Sequence, residues 1–215
     1  MICGVDEAGR GPVLGPLVVC AVSVDSDGPL RSLGVKDSKK LTPKRREELE
    51  PKIRKVARIE LAEVQAEEID ALRTKMTLNQ LEAMVFAQLI DRSSPDIAYV
   101  DAADADEKGF ERMIRSSLKC RPKICSEHKA DDTYPVVSAA SIIAKVTRDA
   151  RVREIEEEIG RPIGSGYMTD QITTDFLKQY VAEHKCHPPH TRRSWEPAKS
   201  IMMLNSLRRL DSFEE

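Results

Sequence analysis

The amino-acid sequence predicts a mixed α/β fold, and three features lead to that prediction. Short apolar runs rich in β-branched residues, such as "ICGV" at 2–5 and "LVVCAVSV" at 17–24, are typical of buried strands. Longer segments repeat their apolar residues at helical spacing and carry helix start signals. Strand and helix patterns occur together along the chain, whose 215 residues with 40% hydrophobic content can fill a large core.

Three later segments are also predicted to form strands. "RKVARIELAEV" (54–64) alternates apolar and polar residues, which is the period of a half-buried strand. "DIAYVDAAD" (96–104) and "PKICSEHKADD" (122–132) are apolar runs, and both are followed by acids. We therefore expect acidic side chains at the ends of at least two strands.

Helices are predicted from start signals and from periodicity. Thr42 is a suitable N-cap with Pro43 at the first helical position, and "TLNQLEAMVFAQLI" (77–90) repeats leucine and valine at helical spacing. A long helix is expected from Pro135 to near Gly160. Further helices are predicted in "DEKGFERMIRSSL" (106–118), "TTDFLKQYVAEH" (173–184) and "AKSIMMLNSLRRL" (198–210).

Small residues occupy the first turns of the long helix, at Ser138, Ala139, Ala140 and Ser141. They allow a close approach, which either tight packing of the helix on a sheet or the passage of a ligand backbone would use. Both interpretations remain open from the sequence.

Charge is distributed unevenly along the chain. The net charge is −2, which by itself does not indicate a nucleic-acid partner. However, residues 36–58 contain ten Lys or Arg against four Asp or Glu, and residues 185–209 contain six against one. Two basic segments therefore flank a largely acidic middle.

Cysteine usage and hydropathy predict a cytoplasmic protein with no membrane association. Five cysteines without a Cys-x-x-Cys pair suit reduced thiols better than a disulfide framework. No apolar stretch approaches the roughly 20 residues of a spanning helix, and the N-terminus has no export signal.

Acids follow three apolar runs, with Asp6 and Glu7 after the first, Asp101 after the second, and Asp131 and Asp132 after the third. Ends of neighbouring strands bring distant residues together, and clustered carboxylates need a cation or a raised pKa. An all-oxygen set suits Mg²⁺ or Mn²⁺ rather than zinc. Each acid could instead begin a turn or cap a helix. Adjacent strand residues also face opposite sides, which separates Asp6 from Glu7 unless the strand twists or a water intervenes.

Glycines surround Arg10 in the loop after the first strand. Gly9 and Gly11 are not followed by a helix, so the dinucleotide-binding fingerprint does not apply, and the chain also lacks a P-loop. The loop is either a plain hairpin turn or a place where backbone amides come near a sugar. His184, Cys186, His187 and His190 lack the spacing of a zinc site, and the segment around them is predicted to be a basic substrate-facing surface or a plain loop.

Taken in order, these motifs resemble the ribonuclease HII family, the type 2 ribonucleases H, and most of all its archaeal members. The matching segments are "DEAGRGPVLGP", "DSKKLT", "YVDAAD", "HKADD", "SAASIIAKV" and "GSGY", and "HTRRSW" extends the match to Trp195. Met168 stands where proline is common after the tyrosine, and Trp195 stands where phenylalanine is frequent, so fine substrate preference is open.

The resemblance implies a ribonuclease H-like fold with a central mixed five-stranded sheet flanked by helices, in a catalytic domain at 1–160, and a small helical substrate-binding part at 161–215. It implies an endonuclease that hydrolyses the RNA strand of RNA/DNA hybrids and cuts 5′ of ribonucleotides in duplex DNA. The products would carry 3′-hydroxyl and 5′-phosphate ends. The alternative is an inactive relative that binds nucleic acid, although four acidic ligand positions argue against it.

The resemblance also assigns residues. Two Mg²⁺ or Mn²⁺ ions would activate water and stabilise the leaving oxygen, held by Asp6, Glu7, Asp101 and Asp131. Gly9, Arg10 and Gly11 would contact the 2′-hydroxyl, Tyr167 would pack on the sugar, and Lys39 and Lys145 would contact phosphates. For the two lysines, a solvated helix face is the alternative.

A monomer is expected, and the C-terminal tail offers one further partner. "LRRLDSF" (207–213) vaguely resembles the sliding-clamp peptide of some archaeal members, although Leu207 replaces the expected glutamine and Phe213 is the single terminal aromatic. The alternative is the frayed end of an amphipathic helix.

Overall fold

Five strands form one mixed sheet in this computed structural model, which describes residues 1–35 and 41–211. The strands are β1 (Ile2–Ala8), β2 (Leu17–Val24), β3 (Arg58–Val64), β4 (Ile97–Asp101) and β5 (Lys123–Glu127), in the order β3-β2-β1-β4-β5. Strand β1 pairs antiparallel with β2 and parallel with β4, and β4 pairs parallel with β5. The predicted α/β class and mixed five-stranded sheet are confirmed.

The described residues form nine helices, several of which begin at a side-chain cap. They are α1 (Gly28–Ser32), α2 (Pro43–Val56), α3 (Ala66–Leu72), α4 (Leu78–Ser93), α5 (Glu107–Ser117), α6 (Ala130–Thr133), α7 (Pro135–Ile159), α8 (Gln171–His184) and α9 (Glu196–Asp211). The hydroxyl of Thr42 accepts a hydrogen bond from Arg45 N, as expected for an N-cap. No helix among these residues is both long and apolar enough to cross a membrane.

Several elements differ from the sequence predictions: β1 continues beyond residue 5 through Asp6 and Glu7 to Ala8, and α1 was not predicted. Helix α2 continues through Val56 despite Pro51, so β3 begins at Arg58 and not at residue 54. Helix α3 was not predicted, although a reciprocal capping box between Gln65 and Glu68 marks its start. At α2 and α3, local capping and hydrogen bonding decide the boundary. A helix of seven residues, such as α3, is also too short for its period to be recognised in the sequence.

Chain contacts divide the molecule into two compact units that are discontinuous in sequence. The first contains residues 1–8, 18–63 and 76–147, and the second contains residues 9–17, 64–75 and 148–215. Each unit has its own buried apolar cluster. The loop after β1 thus belongs to the second unit, and the domain boundary at residue 160 stays a prediction.

Within the first unit, β1 and the start of α7 approach very closely at Gly4. A Cβ atom at Gly4 would lie 2.3 Å from the carbonyl carbon of Val136 and 2.4 Å from Val137 N, so only glycine fits. The small residues at 138–141 are buried in the same helix. Their tight packing is confirmed, while the passage of a ligand backbone stays a prediction.

Candidate active site

Three carboxylates of the first unit meet at one end of the sheet. One oxygen from each of Asp6, Asp101 and Asp131 lies within 4.8 Å of the others. The parallel register pairs Val5 with Val100, so the next residues, Asp6 and Asp101, come side by side. Asp6 is 4% exposed and Asp131 is fully buried, whereas Asp101 is partly exposed, so the acidic cluster is largely buried and reaches solvent at Asp101.

Asp131 reaches the cluster from a helix and not from the end of a strand, which corrects the sequence prediction. Strand β5 ends at Glu127, and Lys129 adopts a left-handed conformation with φ of 57° before α6 begins. The Asp101 carboxylate accepts a hydrogen bond of 2.9 Å from Ala130 N at the start of α6. This bond links the end of β4 to the helix that carries Asp131.

Glu7 lies outside the group of three, because side chains alternate along β1. Asp6 stands opposite Cys20 and Glu7 opposite Val19 in the antiparallel register. The Asp6 carboxylate also accepts a 2.7 Å hydrogen bond from the backbone N–H of Glu7. Within the described chain the three carboxylates that could hold a metal ion come together without Glu7, whose assignment as a fourth ligand stays a prediction.

Burial gives Asp6 unusual acid–base properties. Desolvation first, and then the charge of Asp101, raises the pKa of Asp6 to about 6. The charge of Lys145, a hydrogen bond from Ser141 and the Glu7 N–H act in the opposite direction. A divalent cation would stabilise the ionised form of Asp6 against both burial and the charge of Asp101. Three carboxylates are the hard oxygen donors that Mg²⁺ and Mn²⁺ prefer, so the donor set fits such an ion.

Lys145 lies beside the acids, on the same face of α7 as Ser141. Its Nζ donates a 2.7 Å hydrogen bond to Ser141 Oγ, and Ser141 in turn hydrogen-bonds Asp6. The half-buried Lys145 ammonium therefore lies near the cluster. Its contact with phosphate and the solvated-face alternative both stay predictions, and Lys39 lies outside the described residues.

In the second unit the glycine loop and Tyr167 lie together. Gly9 has a φ of 83°, and a Cβ atom there would lie 2.5 Å from the carbonyl oxygen of Pro16. A Cβ atom at Gly11 would meet the Tyr167 ring at 3.6 Å. The Gly166 carbonyl accepts a 2.8 Å hydrogen bond from Val13 N, so the "GSGY" turn is tied to this loop. The fold brings together residues that the sequence separates by more than 150 positions.

Comparison with known proteins decides the family. A sequence model described as ribonuclease HII matches residues 3–198 of this chain. The chain belongs to the ribonuclease HII family. Ribonuclease HII of Methanocella arvoryzae is 46% identical over 216 residues, covering 99% of this chain and 96% of the relative.

Solved ribonucleases of this family have the same fold. The ribonuclease H2 of Pyrococcus horikoshii OT3 superposes with a TM-score of 0.88 at 42% identity, covering 95% of this chain and 98% of that one. A ribonuclease HII in the PCNA:RNase HII complex from Archaeoglobus fulgidus superposes with a TM-score of 0.86 at 41% identity, covering 94% and 96%. Membership of the ribonuclease HII family makes this protein a ribonuclease H, a hydrolase of phosphodiester bonds.

Two buried arginines in this ribonuclease HII were missed by the sequence analysis. The basic segment that carries Arg192 was expected to be a substrate-facing surface or a plain loop, but Arg192 itself is completely buried. Arg148 is 5% exposed, lies over the Tyr167 ring at 5.3 Å and donates to the Ser165 carbonyl. Arginine is expected at the surface because it is seldom fully buried, so no sequence signal indicated the burial of Arg148 and Arg192.

Proposed function

We propose that this ribonuclease HII hydrolyses the RNA strand of RNA/DNA hybrids and cuts duplex DNA on the 5′ side of an embedded ribonucleotide. The products would carry 3′-hydroxyl and 5′-phosphate ends. The observation that carries this proposal is the largely buried cluster of Asp6, Asp101 and Asp131, because a binding module would gain nothing from anions placed where phosphates dock.

The acids would hold two divalent ions, Mg²⁺ or Mn²⁺, with Glu7 as the fourth ligand. Such ions supply an activated water and stabilise the charge on the departing 3′-oxygen. The chain itself orients the ligands: Ser141 and the Glu7 N–H hold the Asp6 carboxylate, and Asp101 holds the start of α6. In this arrangement no side chain is needed as a nucleophile.

Ribonucleotide recognition would come from the loop of the second unit. The 2′-hydroxyl is the group that distinguishes RNA from DNA at one position. Backbone groups of Gly9, Arg10 and Gly11 would bond it, and the Tyr167 ring, which is 37% exposed, would pack on the sugar. Lys145, and Lys39 outside the described residues, would contact phosphates.

The test uses an end-labelled DNA duplex with one ribonucleotide, an all-DNA duplex of the same sequence and an RNA/DNA hybrid. With Mg²⁺ or Mn²⁺ we expect one cut on the 5′ side of the ribonucleotide, a 3′ end that a polymerase extends, and multiple cuts in the hybrid. EDTA should abolish cleavage, and the all-DNA duplex should stay intact. Tight binding without cleavage in either metal would replace this proposal by the inactive-relative alternative.

A sliding clamp is proposed as a protein partner of the tail at 207–213. The supporting observation is the relative from Archaeoglobus fulgidus, which was solved in a complex with PCNA. Helix α9 includes residues 207–211 of this tail, and the side chains from Arg208 onward lie outside the described part. An immobilised clamp should retain the full chain but not a chain ending at Leu204, and equal retention of both would contradict this partner.

A further inference from the structure

Arg192 is the largest completely buried side chain of the described residues, and its guanidinium binds the loop that follows β1. Its Nη2 donates to the carbonyl of Gly9 at 2.5 Å, Nη1 to that of Arg10 at 2.8 Å, and Nε to that of Gly15 at 3.0 Å. All of these groups belong to the second unit. One planar cation therefore fixes three peptide groups across seven residues of backbone.

Because the peptide unit is planar, these contacts also fix the direction of N–H groups on the opposite side of the loop. In a trans peptide, the C=O of one residue and the N–H of the next point in opposite directions. The carbonyls of Gly9 and Arg10 face Arg192, so the N–H groups of Arg10 and Gly11 point away from it. The third carbonyl, that of Gly15, precedes Pro16, which has no N–H. The guanidinium thus orients two neighbouring donors and anchors the far end of the loop.

Arg192 is itself held in place from its own backbone. Its N–H donates 2.9 Å to the Val13 carbonyl, and Thr191 forms a bridge with Leu14. The Asp70 carboxylate accepts hydrogen bonds from the N–H groups of the next two residues, at 2.7 and 3.0 Å. Both the side chain and the segment that carries it are therefore fixed relative to the loop.

We propose that Arg192 is a positioning residue for ribonucleotide discrimination: it presents the N–H groups of Arg10 and Gly11 as a fixed pair of donors for the 2′-oxygen. This inference rests on the proposed function of the loop. A guanidinium is required, because its rigid fork reaches three carbonyls at once, whereas an ammonium is a single point charge on a flexible stem. Because arginine remains protonated, the arrangement holds at any working pH.

The test compares Arg192→Lys with Arg73→Lys. Arg73 lies 5.1 Å over the Trp195 ring, whose other guanidinium contact is Arg192 at 5.0 Å, but it bonds none of the three loop carbonyls. The control therefore disturbs the same tryptophan without touching the loop. Fluorescence anisotropy in EDTA measures Kd for the all-DNA duplex and for the duplex with one ribonucleotide, and steady-state cleavage in Mg²⁺ measures kcat and KM.

The preference for RNA is the Kd of the all-DNA duplex divided by the Kd of the duplex with one ribonucleotide. We expect Arg192→Lys to lower this ratio by about tenfold, the effect of losing one or two well-placed hydrogen bonds. Its Kd for all-DNA duplex should stay unchanged, and Arg73→Lys should keep the wild-type ratio. A merely structural role would weaken binding of both duplexes alike. If the wild type cleaves at the ribonucleotide and Arg192→Lys keeps the wild-type ratio, this inference is overturned while the proposed function stands. A wild type that neither cleaves nor distinguishes the duplexes overturns both.

A measurement on the wild type covers the case in which Arg192→Lys fails to fold. With ¹³C,¹⁵N-labelled arginine, the Nη–H groups of Arg192 that donate to the Gly9 and Arg10 carbonyls should give slowly exchanging NMR signals, assigned through the carbons of the same side chain. Hydrogen bonds on the two sides of a peptide group reinforce each other. These signals should therefore shift on addition of the ribonucleotide duplex and not with the all-DNA duplex. An identical response to both duplexes would refute the proposal.

Discussion

Replacing Asp131 by asparagine is expected to reduce cleavage of a one-ribonucleotide duplex on the order of a thousandfold, which corresponds to about 4 kcal/mol of transition-state stabilisation. Asp131 is fully buried among the three close carboxylates. Asparagine keeps the shape of the side chain but removes the charge that a divalent ion requires. Asp132, the next residue of the same four-residue helix, is exposed, and Asp132→Asn should retain wild-type activity.

Single-turnover cleavage over a range of Mn²⁺ concentrations measures this difference. The two variants carry the same chemical change at adjacent positions, so any general effect of substituting α6 appears in both. Thermal unfolding in EDTA shows whether each variant is folded. Comparable losses in both variants would mean that α6 is sensitive to any substitution, and full activity in Asp131→Asn would place the metal site elsewhere.

Replacing Asp6 by asparagine is expected to stabilise the metal-free protein near neutral pH by roughly 3 kcal/mol, the free energy that corresponds to raising the pKa of this carboxyl from 3.8 to about 6. Burial and the charge of Asp101 raise the pKa of Asp6 to about 6, so its ionised form is unfavourable in the fold. Asparagine keeps an oxygen that can accept the 2.7 Å bond from Glu7 N. Few core substitutions stabilise a protein, but replacing a buried charge that is kept for function can do so.

The effect of pH on stability follows from the direction of this shift. An unfolded chain loses the Asp6 proton near pH 3.8, whereas the folded chain holds it up to about pH 6. Between these values the unfolded state binds fewer protons, so the contribution of Asp6 to the free energy of unfolding falls as pH rises. Asp6→Asn should remove this fall and leave a flatter profile between about pH 4 and pH 6.

Urea unfolding in EDTA at pH 4.5 and pH 7.5 tests the prediction, with Asp132→Asn as a control that removes an exposed acid. At the higher pH, Asp6→Asn should be more stable than the wild type. Excess Mn²⁺ should reverse the order, because the wild type gains binding free energy that the variant has lost. An Asp6→Asn protein less stable than the wild type in EDTA at pH 7.5 would contradict the prediction. It would show that other groups of the protein already compensate the negative charge of the ionised carboxylates.

The placement of Asp6 and Asp101 could be predicted because each follows an apolar run, and adjacent parallel strands bring such residues together, although Asp6 lies within β1 and Asp101 is the last residue of β4. Asp131 was placed on the wrong element. Its segment has no glycine or proline after β5, and the turn depends on Lys129 in a left-handed conformation that lysine rarely adopts. A helix of four residues also has too few positions for its period to be read.

The contacts within the second unit could be predicted only in part. Gly9 and Tyr167 were assigned through family motifs, but nothing in "HTRRSW" indicates that one arginine is buried and the next is exposed. Such a distinction depends on three carbonyls near the other end of the chain. Side-chain periodicity carries information over a few turns of structure, and it carries none about hydrogen bonds between distant loops.

The hydrogen bonds of the Arg192 side chain can form only after residue 192 has been synthesised. They join residues 177 to 183 positions apart, and synthesis runs from the N-terminus. A nascent chain therefore contains β1, β2 and the loop between them long before the ribosome adds the arginine that fixes the loop. Under the proposed role of Arg192, ribose selection would be acquired only after residue 192 has been added, and a chain terminated before that residue would keep all four predicted acidic ligands without it.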